Sequence, residues 1–173
     1  MNPKIIALHD LPTLLGSTFT IDKFRIGQDE VDVFEDVTGV TATYAQSLPT
    51  DYPDGMVEGF HSLALLDYLL HQLMRVEPTS AFGFNYGLDK VRFPSNITTS
   101  DELTFTSEVT AVEPRNGGYL VRYHCTIAVI GASKPGLVAD WLGLVLPRTE
   151  TVFKEAAQLR DTATPQAVLA RTS

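Results

Sequence analysis

The sequence predicts an α+β fold in which antiparallel strands wrap one buried helix. Two observations carry this. The longest apolar run, Gly55 to Met74, is too polar and too interrupted to span a membrane, and it reads as a buried helix. Beyond it the chain alternates at period two, as strands do. With 173 residues there is room for one domain and too little for two ordinary ones. Apolar residues make up 44% and charged residues 20%, which supports a full core and excludes wholesale disorder.

Taken in order, residues 10–16 predict a short helix that ends at Gly16. Ser17 to Arg25 reads as extended. Gln28 to Asp36 spaces Val31 and Phe34 helically, with acids in the first turn, so a short helix is expected. Residues 40–54 read as a loop that feeds the central helix. Phe82 to Phe93 is a strand, with Gly87 at a bulge or a site of close backbone approach. Leu103 to Ala111 keeps its apolar residues at odd positions and forms a half-buried strand. Pro114-Arg-Asn-Gly-Gly118 is a hairpin turn into the return strand Tyr119 to Ile130. A second turn, 131–136, leads to the last strand, Leu137 to Leu146. These elements make a domain of residues 1–148, and residues 149–173 are expected to form a surface helix and a frayed tail.

The net charge of −8 argues against a nucleic-acid surface and against electrostatic attachment to a membrane. Cys125 is the only cysteine, and the N-terminus lacks a long apolar region, so a reducing, cytoplasmic setting is expected. Zinc, dinucleotide and P-loop signatures are missing, so no metal and no cofactor is expected.

Polar residues of the central helix fall into two groups. Glu58, His61 and Ser62 share one face near its start. Asp67, His71 and Arg75 share another near its end, most simply as an exposed ion-pair ladder. An acid and an imidazole at the first turn of a buried helix are the best chemical clue here. The imidazole exchanges protons near neutral pH, and burial raises a carboxylate's pKa.

Several stretches resemble the MaoC-like dehydratase family, in its NodN-type branch. Asn85-Tyr-Gly-Leu-Asp-Lys-Val-Arg-Phe-Pro94 is similar to that branch's signature strand. Val57-Glu-Gly-Phe60 resembles the family's entry to its central helix, and Phe34-Glu-Asp-Val-Thr-Gly39 resembles its Phe-Ala-x-x-Thr-Gly. Ala139-Asp-Trp-Leu142 resembles the end of its last strand. The resemblance covers roughly residues 11 to 147 and implies a hotdog fold assembled as a homodimer, with a pocket at the dimer interface. It further implies hydration or dehydration of acyl thioesters, carried on coenzyme A or an acyl carrier protein. In the family an Asp and a His just after Thr-Gly move the proton and the water, while backbone N–H groups at the helix start hold the thioester oxygen.

This chain departs from that pattern. Val40 stands where the acid should be, and Tyr44 or Ala45 where the imidazole should be. The expected site is therefore rearranged. Glu58, His61 and Tyr44 are the candidates for proton transfer. Gly59 and Phe60 are expected to supply backbone donors, and Asp54, Asn85 and Tyr86 to border the substrate. Lys90 and Arg92 are expected to point the same way from their strand. Two functions fit these residues: a non-standard lyase or cyclase acting on a 3-hydroxyacyl, enone or polyketide-like substrate, or a non-catalytic role as an acyl or small-molecule binder or as an inactive partner subunit of a hydratase.

Overall fold

The computed structural model describes residues 2–40 and 53–148. The elements are β1 (Lys4–Ile6), a 3-10 helix (Leu8–Leu14), β2 (Thr18–Phe24), α1 (Gln28–Thr38) and β3 (Met56–Val57). They continue with α2 (Gly59–Leu73), β4 (Met74–Val76), β5 (Ala81–Arg92), β6 (Ile97–Thr98), β7 (Leu103–Arg115), β8 (Gly118–Val129) and β9 (Pro135–Pro147). Five strands form an antiparallel sheet in the order β2-β7-β8-β9-β5, and α2 lies against one face of it. This is the hotdog arrangement. No helix among the described residues is long and apolar enough to cross a membrane.

Period-two alternation builds the face that receives the helix. Leu103, Phe105 and Val109 of β7, Val121, Cys125 and Ile127 of β8, and Leu137 and Ala139 of β9 are all buried on it. From α2 come Leu66, Leu69 and Leu70, one stripe at i, i+3, i+4. Each such leucine contributes about 1.5–3 kcal/mol when fully buried. Leu11, Ile26 and Val31 close the core from the N-terminal segment.

The ends of the helices have local causes. At the start of α1 the Glu30 carboxylate accepts the Gly27 N–H at 2.7 Å, and Gly39 closes the helix in the left-handed region at φ 73°. The central helix is shorter than the apolar run predicts. Met56 and Val57 pair with β6 instead, and Met74 turns extended (φ −146°, ψ 148°) to pair with β1. Ladders of two or three residues leave no periodic signal, which is why β1, β3, β4 and β6 are not legible in the sequence.

The expected hairpin is present between β7 and β8, with Asn116 and Gly117 both at positive φ (51° and 78°), as a tight two-residue turn requires. The next residue, Gly118, is crowded: a Cβ there would run into the backbone carbonyl of Val145 and lie 3.0 Å from the Leu146 Cα. Gly118→Ala should therefore lower the unfolding free energy by about 1–3 kcal/mol in urea titration, by overpacking against backbone that cannot swing aside.

Candidate functional site

A groove runs between α2 and β5. Near the start of the helix it encloses about 350 Å³, with Phe60, Leu63 and Asp67 on the helix side, Asn85 and Leu88 on the strand side and Trp141 beneath. A second cavity of about 410 Å³ continues toward the end of the helix and shares Asp67, Asn85 and Trp141 with the first. The helix wall is one stripe, Phe60, Ala64, Asp67 and His71, spaced three or four residues apart, and Arg75 of β4 extends the wall beyond the end of the helix. The ladder at the end of the helix thus continues the line that begins at Phe60.

The bulge shapes the strand wall. Pairing of β5 with β9 shifts between Asn85 and Gly87, so Asn85 sits opposite Gly143 and Leu88 opposite Trp141. Asn85 and Leu88 are three apart, yet both face the helix, which uninterrupted alternation would forbid. Tyr86 also lines the first cavity. Its hydroxyl accepts a hydrogen bond from Arg115 Nη2 at 2.7 Å, with that guanidinium 4.8 Å from the ring centre.

At the start of α2, Glu58 is the N-cap, and its carbonyl accepts the Ser62 N–H at 3.1 Å. The N–H groups of Gly59, Phe60 and His61 have no acceptor within the helix. Gly59 lies under the Phe93 ring, 3.1 Å from where its Cβ would be, so a closer helix–strand approach is built in. Phe60 is 72% exposed beside the groove. His61 turns the other way: it is buried, its ring stacks on Phe34 at 4.6 Å, and among the described residues its Nδ1 has no hydrogen-bond partner. Burial lowers its pKa below the ordinary 6.5, against the opposing pull of Glu30 and Glu35.

Of the expected site residues, Phe60, Asn85 and Tyr86 come together along the groove. Glu58, Gly59 and His61 cluster at the helix start, with the imidazole directed at α1. Asp54 lies in the exposed turn just before β3. Tyr44 falls outside the described residues.

No family model matches the chain. A curated protein of Mycobacterium tuberculosis, 3-hydroxyacyl-thioester dehydratase Z, is 33% identical over 124 residues, covering 69% of this chain and 82% of that protein. The chain belongs to the MaoC-like dehydratase family. Nodulation protein N of Rhizobium leguminosarum is 25% identical over 147 residues, covering 81% of this chain and 91% of its own. The crystal structure of a MaoC-like dehydratase from Rhodospirillum rubrum superposes with a TM-score of 0.60 at 16% identity, over 80% of this chain and 97% of that one.

Within this MaoC-like protein the family motifs meet in space. Phe34, of the stretch that ends in Thr38-Gly39, is the ring stacked on His61, just beyond Val57-Glu-Gly-Phe60. The signature strand is β5, whose bulge falls at Asn85-Tyr86-Gly87. Trp141, Leu63 and Ala64 are lining residues that sequence reasoning missed. The helix stripe through Phe60 was the available signal for the latter two.

Lys90 and Arg92 do not form the expected matched pair. A second bulge between Asp89 and Arg92 puts Lys90 at φ 50° and breaks the alternation. Lys90 Nζ reaches Asp140 at 3.1 Å, while Arg92 Nη1 donates to the adjacent Val91 carbonyl. Asp140 is nearly buried and also bonds His124 Nδ1 at 2.8 Å. Burial pushes its pKa up, but His124 and Lys90 outweigh that and hold it below the usual carboxylate value. Cys125 is a core thiol, pushed up to about 11 by burial, which suits no nucleophilic role.

The two helix histidines should pull stability in different pH windows. Above 6.5 His61 is neutral folded or unfolded; below it only the unfolded chain readily takes the proton, so stability falls as pH drops toward the lowered pKa. His71 is raised by its hydrogen bond to the Asp67 side chain, so its contribution is full below 6.5 and is lost as pH rises through the raised pKa. Urea midpoints from about pH 5 to about pH 8 should show a shallower acid-side decline in His61→Phe. In His71→Gln the change should instead appear on the alkaline side.

Proposed function

We propose that this protein is a non-standard lyase or cyclase of the dehydratase type, acting on a 3-hydroxyacyl, enone or polyketide-like substrate presented as an acyl thioester. One observation carries the reading: helix-entry and signature-strand residues, Phe60, Asn85 and Tyr86, line a single cavity at the start of the central helix. In this reading the substrate carbonyl accepts N–H groups from Gly59 and Phe60. Removal of a proton alpha to that carbonyl puts negative charge on its oxygen, where the helix start is electropositive. The 3-hydroxyl then takes a proton and leaves as water. Glu58, His61 and Tyr44 are the groups proposed to move these protons, and burial keeps His61 in its neutral, proton-accepting form at pH 7.

Val40 in place of the family's acid makes simple enoyl thioesters poor substrates. It favours a reaction in which the bound shape supplies more of the rate than strong acid–base groups do. A second reading, a non-catalytic binder or inactive partner subunit, draws support from the stacking of His61 on Phe34, away from the groove.

The protein is further proposed to work as a homodimer joined along β5. This strand is a sheet edge and carries Phe84, Tyr86 and Leu88, each more than 40% exposed. An apolar edge strand of this length is normally covered, and a second copy would also roof the groove. Leu88→Asp should shift the sedimenting species from dimer to monomer. If the unmodified chain sediments as a monomer, the dimer proposal is wrong.

Turnover is tested by following enoyl absorbance with crotonyl-coenzyme A and with longer or cyclic enone thioesters. Gly59→Ala should lower kcat by about 10–100-fold, because the added methyl group must displace Phe93 and shifts the donors. Glu58→Gln and His61→Ala should each cost about 100-fold if they move protons. Full turnover in both variants removes them from the mechanism, and tight binding with no turnover of any thioester favours the binder.

A further inference from the structure

Where the two cavities meet, the groove turns polar. Asp67 and Asn85 line both cavities, and His71 lines the second. The imidazole has only oxygen beside Nδ1: the Asp67 carbonyl at 2.7 Å and the Asp67 carboxylate at 3.1 Å. Nδ1 therefore carries a hydrogen and donates it, and the exchangeable lone pair is on Nε2. Among the described residues Nε2 has no hydrogen-bond partner, and neither has the Asn85 side-chain amide. Beside them lies Tyr123. It is 4% exposed, stacks on Trp141 at 5.1 Å, and packs its ring against Gly143 of the second cavity, 3.3 Å from where a Cβ would be. Gly143 is also the residue opposite Asn85. The Tyr123 hydroxyl makes no hydrogen bond among the described residues, which is rare for a phenol so deep. Burial, then Cys125 and Asp67, push its pKa up, so it keeps its proton and is a donor. An i, i+4 Asp–His pair on a helix is most often a solvated ion pair and no more. That accounts for Asp67 and His71 but leaves a carboxamide and a buried phenol, from two other elements, unanswered.

We propose that Asp67, His71, Asn85 and Tyr123 form a subsite for a hydroxyl group carried partway along a ligand in the groove. The proposal rests on the groove being the ligand site, as the proposed function has it, and it narrows the substrate to an acyl chain oxygenated well beyond C3. A hydroxyl answers these partners together. Its hydrogen goes to His71 Nε2, and its oxygen accepts from the Asn85 amide and the Tyr123 hydroxyl. A carbonyl would leave neutral Nε2 without a donor, and a methyl group would leave all three unanswered. Asp67 is a positioning residue: it holds the ring by Nδ1, so Nε2 is the accepting nitrogen. The His71 ring lies back over Asp67, and from Gly59 to Asp67 the helix axis advances about 12 Å. That span is roughly ten bonds of an extended chain, which puts the hydroxyl near C10 counted from the thioester carbonyl.

Trp141 is the chain's single tryptophan and lines both cavities, so its emission reports occupancy without any turnover. The probes are amides of N-acetylethylenediamine, which keep a carbonyl in the thioester's place and do not react: decanoyl, 10-hydroxydecanoyl and 5-hydroxydecanoyl. Titrations run at about pH 8.5, where the His71 ring is neutral although its pKa is raised. The 10-hydroxy probe should bind about tenfold more tightly than decanoyl, and the 5-hydroxy probe no more tightly. Tyr123→Phe and His71→Leu should each remove most of that preference, and Asp67→Asn should weaken it, while the affinity for decanoyl stays unchanged. Unchanged decanoyl binding also shows that the variants are folded, since a merely structural loss would move both probes together. Equal affinities for decanoyl and 10-hydroxydecanoyl, a 5-hydroxy probe that binds as tightly as the 10-hydroxy one, or a preference kept by all three variants overturns the subsite and leaves the groove reading standing. If no probe moves the emission, the groove reading falls with it.

Discussion

Burial of α2 against the five-stranded sheet is the constraint on which the rest of the molecule depends. The helix gives its Leu66-Leu69-Leu70 stripe to the sheet, and that contact fixes its rotation about its own axis. Once the rotation is set, the remaining faces have no freedom. One carries His61 to the Phe34 ring of α1, and another presents Phe60, Ala64, Asp67 and His71 to the groove. A turn of the helix by one residue would put polar groups into the core at a cost of about 1–3 kcal/mol for each group left unpaired.

The edge strand supplies the complementary surface through its irregularities. A regular β5 would send Asn85 and Leu88 to opposite faces, but the bulge at Tyr86 and Gly87 brings both to the helix side, over Trp141. The second bulge, around Lys90, serves the other face of the sheet. There it sets an ammonium on Asp140, which His124 and Arg122 also approach. Two bulges in one strand therefore separate the groove beside α2 from a compact charge network on the far side.

How much was legible depends on the range of the interactions involved. The strands β5, β7, β8 and β9, the α1 helix and the Asn116-Gly117 turn follow from local alternation, helical spacing and turn chemistry, and all were readable. The glycine at 87 marked either a bulge or a close backbone approach, and the register shift between Asn85 and Gly87 makes it the bulge. The second bulge carries no glycine, so Lys90 and Arg92 were read as neighbours on one face when their roles diverge. Among the site residues, Phe60, Asn85 and Tyr86 were found through motif resemblance and do share the groove. The Asp67-His71-Arg75 series was read as an exposed ion-pair ladder, and the Asp67–His71 pair is there at 3.1 Å and half exposed, but spacing along a helix does not tell that this face also borders a cavity.

By itself the sequence determined the two helices, the long strands and the resemblance to the family, since each is a property of residue type and near-neighbour spacing. Tertiary structure alone decided which side of the central helix lines a cavity, where Trp141 lies and what the His61 ring touches. Those outcomes come from contacts between segments far apart in the chain, where packing against the sheet selects one helix rotation and one strand register from several that the local pattern allows equally.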